Sequence, residues 1–297
     1  MQPDRRQPPR PEHVDDFDDP RLADYRNLKD ANLRLKRKRF IVEGRGNLRV
    51  LLARSRFRPE SILLNQAAWA ALESVLVDAA PGCPVYVAEQ AVFDRVAGLA
   101  IHRGCLAACA RGGEREPIEL ARELLDRLER PRVLVLESIL DPDNVGSIFR
   151  NAMALGAGAV FLCPRTCDPL YRKAIRTSMG GTLCVPFARF ADVVKGLAEL
   201  RMLGFEILAL DPDESALPYR SLEPGDLGPL ALLLGTEGTG LTEPALHSAD
   251  RRVRIPMERG VDSLNVSVAA GIALSWFRAP NDSGDSGSRS EERSMDS

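Results

Sequence analysis

The chain has 297 residues, 44% of them hydrophobic, enough to bury the core of one large or two medium domains. No apolar run reaches the roughly 18 residues of a membrane span, and the N-terminal segment M-Q-P-D-R-R-Q-P-P-R lacks the apolar centre of a signal peptide. The net charge of −2 is unevenly distributed, and the six cysteines form no CxxC pair, so a reduced, cytoplasmic protein is expected.

Residues 1–20 are rich in Pro, Asp and Arg, carry −3, and read as an unfolded tail. From Arg21 to Arg58 the balance reverses. Thirteen Lys and Arg face only Asp24, Asp30 and Glu43, a local charge of +10 of the kind that phosphate backbones attract. A solvated face explains the charge equally well when it is taken alone. Leu28–Leu35 has a helical pattern and runs into the basic stretch Lys36–Arg39. Phe40-Ile41-Val42 then reads as a strand that Glu43-Gly44 breaks. Ala67–Val77 is an amphipathic helix, and Val85–Val87 and Cys105–Cys109 are strands. Residues 21–112 therefore form a small α/β domain.

Residues 113–131 are charged, with a stripe of Ile118, Leu120, Leu124, Leu125 and Leu128 that predicts a linker helix. From Arg132 the elements lengthen. Val133–Leu136 is an unbroken apolar run, as in a strand covered on both faces. Helical patterns at 144–155, 170–179 and 190–203 alternate with strands at 159–162, 205–210, 230–234 and 252–256. This alternation predicts a mostly parallel sheet over 132–280, with ligands at the C-terminal strand ends. Residues 281–297, rich in Ser, Gly and charge, read as a second tail.

Three loops at those strand ends carry unusual residues. The first, Asp141–Arg150, enters a helix. Gly146 there permits close approach of another backbone, and Arg150 lies two turns in, among apolar neighbours. The second, Gly235-Thr236-Glu237-Gly238-Thr239-Gly240-Leu241, follows Leu234 directly. It lacks the lysine and spacing of a phosphate-binding loop, and Glu237 would repel phosphate. The third runs from Ile255-Pro256-Met257 to Ser263-Leu264-Asn265, where a small-residue helix begins. Taken singly, each has an ordinary structural explanation: Asn144 or Ser263 as a helix cap, Arg150 as a surface cation, Gly235–Leu241 as a tight turn.

Together the loops resemble the three motifs of the SpoU (TrmH-like) RNA 2′-O-ribose methyltransferases: N-x-G-x-x-x-R at Asn144, Gly146 and Arg150; G-x-E-G-x-G-L at Gly235–Leu241; and I-P-M followed by S-L-N-V-S-V-A at Ile255–Met257 and Ser263–Ala269. The resemblance covers about residues 130–278. F-I-V-E-G at Phe40–Gly44 is similar, more weakly, to that family's small RNA-binding α/β domain.

The resemblance implies an α/β fold whose mostly parallel sheet ends in a deep C-terminal trefoil knot, a rare exception to the rule that chains do not thread loops. It implies S-adenosylmethionine as cofactor, held by Gly235, Ile255 and Leu264, with Leu234, Thr236, Gly240 and Met257 beside them. Arg150, Asn144, Glu237, Ser263 and Asn265 would be the catalytic set, with Ser263 and Asn265 completing a hydrogen-bond network and Glu237 pairing with Arg150 or Asn144. The substrate would be rRNA or tRNA, and Arg34, Lys36, Arg37, Lys38, Arg39 and Arg45 would meet its phosphates. The enzyme would be a homodimer with its site near the interface, using no metal and no membrane. A guanidinium stays protonated, so Arg150 suits orienting the 2′-OH better than taking its proton. A non-catalytic RNA-binding or ribosome-assembly factor of the same fold is the alternative, and base methylation by a knotted relative is a third possibility. His102, Cys105 and Cys109 supply only three metal ligands, and Cys163 and Cys167 read as free thiols.

Overall fold

The computed structural model describes residues 10–26, 38–80, 82–97 and 104–278. The first domain is built on five short strands: β1 (Glu12–His13), β2 (Arg39–Glu43), β3 (Pro59–Asn65), β4 (Val85–Ala88) and β5 (Cys105–Ala110). They lie in the order β1-β4-β3-β5-β2, with β5 antiparallel to both its neighbours and the remaining pairs parallel. Among the described residues three helices connect them: α1 (Arg45–Arg54), α2 (Gln66–Ala79) and α3 (Gln90–Ala97). Asn65 starts α2, its side-chain oxygen accepting from Ala68 N at 2.7 Å.

The expectation that residues 1–20 carry no fold fails from residue 10 onward. Val14 N donates to Val87 O at 3.0 Å, and the Val14 side chain is buried with Leu22, Tyr25, Ile41 and Phe93. A 3-10 turn over Pro20–Tyr25, capped by Asp19, delivers Leu22 and Tyr25 to that core. A few apolar anchors in a polar stretch are enough to order it against a preformed sheet edge. The predicted helix Leu28–Leu35, with Arg34, Lys36 and Arg37, lies outside the described residues, as do His102 and the tail 281–297.

The second domain carries seven strands: β6 (Arg132–Leu136), β7 (Ala159–Leu162), β8 (Phe187–Arg189), β9 (Glu206–Leu210), β10 (Leu217–Pro218), β11 (Leu230–Leu234) and β12 (Arg251–Arg254). Their order is β10-β12-β9-β11-β6-β7-β8, and every pairing is parallel. The central pair, β6 and β11, is buried along its whole length, as unbroken apolar runs require. The helices are α4 (Pro117–Arg127), α5 (Pro142–Leu155), α6 (Arg172–Thr177), α7 (Gly181–Cys184), α8 (Val193–Met202), α9 (Glu243–His247) and α10 (Val266–Trp276). One core cluster on the sheet takes in residues of α5 and α10, and another takes in residues of α4 and α8. The segment expected as a linker helix is thus a structural layer of the second domain: Leu120, Ala121 and Leu124 of α4 are buried beside Phe161 and Phe190.

From β6 the chain steps outward to β7 and β8, then returns to β9, and β11 later fills the gap between β9 and β6. The strand order therefore reverses at β6 and β11. A crevice opens at the C-terminal ends of strands where neighbouring connections leave in opposite directions. The first domain docks on this one through Leu170, Ile175 and Leu183, which join the core of Phe40, Leu48 and Ile62. The Glu43–Arg172 ion pair at 3.3 Å and the bond from Ser55 Oγ to Leu183 O at 3.0 Å reinforce the joint.

Arg132, at the start of β6, is buried and reaches backbone carbonyls in place of a carboxylate. Its Nε donates to Phe277 O and its Nη1 to Gly228 O, both at 2.6 Å, fastening the end of α10 to the turn before β11. Burial, then repulsion from Arg130, holds its pKa below the usual arginine value, though it stays protonated. Arg132→Ala strands those carbonyls and is expected to lower unfolding stability by about 2–4 kcal/mol in a urea titration, and a loss well under 1 kcal/mol would refute this role.

All six cysteines are free thiols. Cys105 and Cys109 are core residues of β5, and among the described residues no three potential ligands cluster as for a metal ion. Burial pushes the thiols of Cys105 and Cys163 up to about 12 and those of Cys83 and Cys167 up to about 11. A raised pKa means the unreactive thiol form persists through neutral pH. At pH 8 the folded protein is expected to react with a disulfide reagent at least about tenfold more slowly than the urea-unfolded chain. Rapid, complete labelling of the folded state would contradict that.

Candidate active site

The strand-end crevice holds a pocket of about 350 Å³ whose walls are the loops after β9, β11 and β12 and the first turn of α10. Gly235 leaves β11 at a place with no room for a side chain. A Cβ there would stand 2.4 Å from Gly240 C and 2.5 Å from Leu241 N, so the loop folds back onto its own start. Gly240 N donates to Thr236 O at 3.0 Å, closing the turn. The far end is fixed by Glu137, the buried residue just after β6. Its carboxylate accepts from Thr242 N at 3.0 Å and Thr242 Oγ1 at 2.8 Å.

All seven residues expected at the cofactor, Leu234, Gly235, Thr236, Gly240, Ile255, Met257 and Leu264, line this pocket, together with Glu237, Ser263 and Asn265. Sequence reasoning missed Leu210, Asp211 and Pro212, which form the wall beneath β9. The strand-end rule reaches them, because β9 ends at Leu210 beside β11 and β12. Asp211 is held by Arg252, with Nη2 to Oδ2 at 2.6 Å, and leaves the pocket no unpaired carboxylate at that wall.

Helix α5 begins at Asp141, whose side chain accepts from Asp143 N, so Asp141 is the cap and Asn144 is released from that duty. Lys173 and then Thr177 hold the Asp143 carboxyl below the usual carboxylate range and tie α5 to α6. The close approach expected at Gly146 occurs here, since a Cβ would lie 2.6 Å from Ala174 O. Asn144 is buried and points to the pocket rim. Its Nδ2 donates to Glu237 Oε1, while its Oδ1 accepts from Asn265 Nδ2 at 2.9 Å. Asn265 Nδ2 also lies 3.4 Å from Glu237 Oε1. The other side of the Asn265 amide caps α10, its Oδ1 accepting from Ser267 N at 2.9 Å and from Ser267 Oγ at 2.6 Å. One residue from each of the three motif loops thus meets in a single network.

Two of the residues expected to be catalytic stand apart from this network. Ser263 lines the pocket, but it is exposed and makes no hydrogen bond among the described residues, so the helix cap and the network both belong to Asn265. Arg150 is exposed as well. It follows Asn144 by six residues, about 120° round the helix, does not line the pocket, and pairs with no acid among the described residues. Glu237 is bound by the two asparagines and not by Arg150.

Of the basic residues expected at RNA, Lys38 is exposed and Arg45 opens α1. Arg39 is ion-paired with Asp24 at 3.0 Å and with Glu60, and its pKa is raised, chiefly by Glu60. It is already engaged by carboxylates within the domain. Among the described residues no helix is long and apolar enough to cross a membrane.

Residues 131–275 match the SpoU rRNA Methylase family. A Mycobacterium tuberculosis protein named as an uncharacterised tRNA/rRNA methyltransferase is 42% identical over 267 residues, covering 88% of this chain and 89% of its own length. The 23S rRNA (guanosine-2′-O-)-methyltransferase RlmB of Acinetobacter baylyi is 32% identical over 205 residues, 68% of this chain and 82% of that protein. Among solved structures, an AdoMet-bound rRNA methyltransferase from Sinorhizobium meliloti superposes with a TM-score of 0.73 at 24% identity, covering 89% of this chain and 95% of the other.

Proposed function

The chain belongs to the SpoU rRNA methylase family of RNA methyltransferases, and on that premise we propose that it transfers a methyl group from S-adenosylmethionine to a ribose 2′-OH of rRNA or tRNA. One observation carries the reading. The Asn144–Glu237–Asn265 network stands on the rim of the pocket whose walls are the residues expected at the cofactor.

The pocket suits that cofactor. Leu234, Ile255 and Leu264 offer apolar surface, and Gly235 lets backbone amides approach closely where a side chain would fill the space. When bound, S-adenosylmethionine supplies a methyl group already activated on a sulfonium. The protein's part is therefore alignment and proton removal. The two asparagines hold the Glu237 carboxylate in one orientation, and it offers an acceptor to the attacking hydroxyl or to an intervening water. Arg150, charged and able only to donate, orients the ribose oxygen or the adjacent phosphate.

Arg150 stands outside the pocket, so the substrate or a second subunit must complete the site on that side. A homodimer fits this need, since Leu264 at the pocket and Val261 and Val268, near it in sequence, are exposed apolar side chains. The insertion of β11 between β6 and β9, with both later loops converging on one pocket, supports a trefoil knot in which the chain beyond Gly235 passes through an earlier loop. Lys38 and Arg45 give the first domain phosphate-binding charge, and the sequence just before them adds Arg34, Lys36 and Arg37. Such an enzyme works in the cytoplasm.

Calorimetry with S-adenosylmethionine, followed by mapping of 2′-O-methyl positions in total RNA from a deletion strain, tests the whole reading. Loss of one ribose methylation in the strain, with cofactor binding by the purified protein, is expected. A protein that binds RNA but no cofactor would be an assembly factor.

A further inference from the structure

A second cleft, of about 390 Å³, opens where the two domains meet. It lies at the C-terminal ends of β7 and β8, on the same sheet edge as the cofactor pocket. Five arginines line it against two glutamates: Arg56 and Arg58 after α1, Arg111 and Arg115 on the connecting segment, and Arg189 closing β8. Arg111 is paired with Asp168 and Arg115 with Glu123, while Glu60 is paired with Arg39. Arg56, Arg58 and Arg189 have no carboxylate partner among the described residues. Arg189 Nη1 is held by the carbonyls of Cys163 at 2.7 Å and Thr166 at 3.0 Å, which fix its position without cancelling its charge.

Arg56 is clamped between two rings, one from each domain, at 4.6 Å from the centroid of Phe57 and 4.5 Å from that of Phe187. Part of the side chain remains open to solvent, but the guanidinium itself is crowded by the rings. That crowding, then repulsion from Arg115, lowers its pKa to about 10, so it stays charged at neutral pH. Aromatic faces attract the cation and still leave N–H donors at its edge. A purely structural clasp explains Arg56, but not two further uncompensated arginines in the same cleft. Uncompensated charge in a cleft focuses potential on an anion.

We propose that this cleft is a second RNA subsite, in which Arg56, Arg58 and Arg189 bind a backbone phosphate of the strand whose target ribose lies at the cofactor pocket. The inference rests on the reading of the protein as an RNA enzyme. Three strand spacings separate β8 from β11, on the order of 14 Å, or about four nucleotides of a stacked strand. The planar fork of arginine suits a phosphodiester's paired oxygens.

The test uses the full chain and Arg58→Ala, since Arg58 is exposed and makes no hydrogen bond or ion pair among the described residues. Binding of a mixed-sequence RNA of roughly 20 nucleotides is followed by anisotropy between about 50 and 200 mM salt. Arg58→Ala is expected to bind about fivefold more weakly, with the log–log salt slope reduced by about 0.7, the single-strand value for one phosphate, and with unchanged affinity for S-adenosylmethionine. Wild-type affinity and slope in the variant would overturn the subsite alone. Absence of RNA binding by the wild type would remove the functional reading and the subsite together. If inorganic phosphate stabilises the wild type through Arg58 while RNA binding ignores it, the cleft serves a free anion and the RNA assignment is overturned.

Discussion

Replacing Arg150 with alanine is expected to lower methyl transfer by about 10²- to 10⁴-fold and to leave affinity for S-adenosylmethionine unchanged. The separation of the two effects follows from where the side chain stands. The pocket is walled by the loops after β9, β11 and β12, and Arg150 is not among the residues that line it. Its removal takes no contact from the cofactor and strands no buried partner. The fold is equally indifferent, because the side chain is exposed on α5. In the proposed mechanism, what is lost is a permanent cation that meets the ribose or its phosphate only once RNA is bound. Arg150→Lys discriminates between two roles. A point charge suffices for a phosphate, so partial recovery indicates phosphate binding, while failure of lysine indicates that the planar fork orients the hydroxyl. Transfer rates within twofold of wild type for Arg150→Ala would remove Arg150 from the mechanism.

Sequence made the central strands and the three loops legible because the signals there are local. Val133–Leu136 and Leu230–Leu234 are unbroken apolar runs, and such runs become buried parallel strands. The start of the small-residue helix was legible too, although its cap is Asn265 and not Ser263. What stayed hidden depends on contacts between distant segments. Glu137 looks like an ordinary acid after a strand until Thr242, far along the chain, places both its donors on that carboxylate. Arg56 reads as one cation among thirteen until Phe187 of the other domain covers it. Val14 sits in a Pro- and Asp-rich stretch whose composition argues for a tail, and only the free edge of β4 gives it somewhere to pair. Arg150 stands exposed, as a surface cation would, because helical periodicity carries the sixth residue after Asn144 to another face.

Gly235→Ala should be the most damaging single-methyl change for cofactor binding, reducing affinity for S-adenosylmethionine by about 5- to 150-fold, the equivalent of 1–3 kcal/mol of overpacking. The new Cβ would meet Gly240 C at 2.4 Å, Leu241 N at 2.5 Å and Gly240 O at 2.6 Å. All three are backbone atoms, so no rotamer change relieves the clash, and the loop itself must open. It cannot open from its far end, because Glu137 holds Thr242 through two hydrogen bonds. The displacement is therefore forced into Thr236–Gly240, the segment that walls the pocket and carries Glu237 to Asn144. Cofactor affinity and transfer rate should fall together, unlike the Arg150 variant, in which only transfer falls. Gly225→Ala is the matched control, since a Cβ there meets nothing within 4 Å, and it should leave both quantities unchanged. A Gly235→Ala protein that binds S-adenosylmethionine as tightly as wild type in calorimetry would show that the cofactor does not rest on this loop.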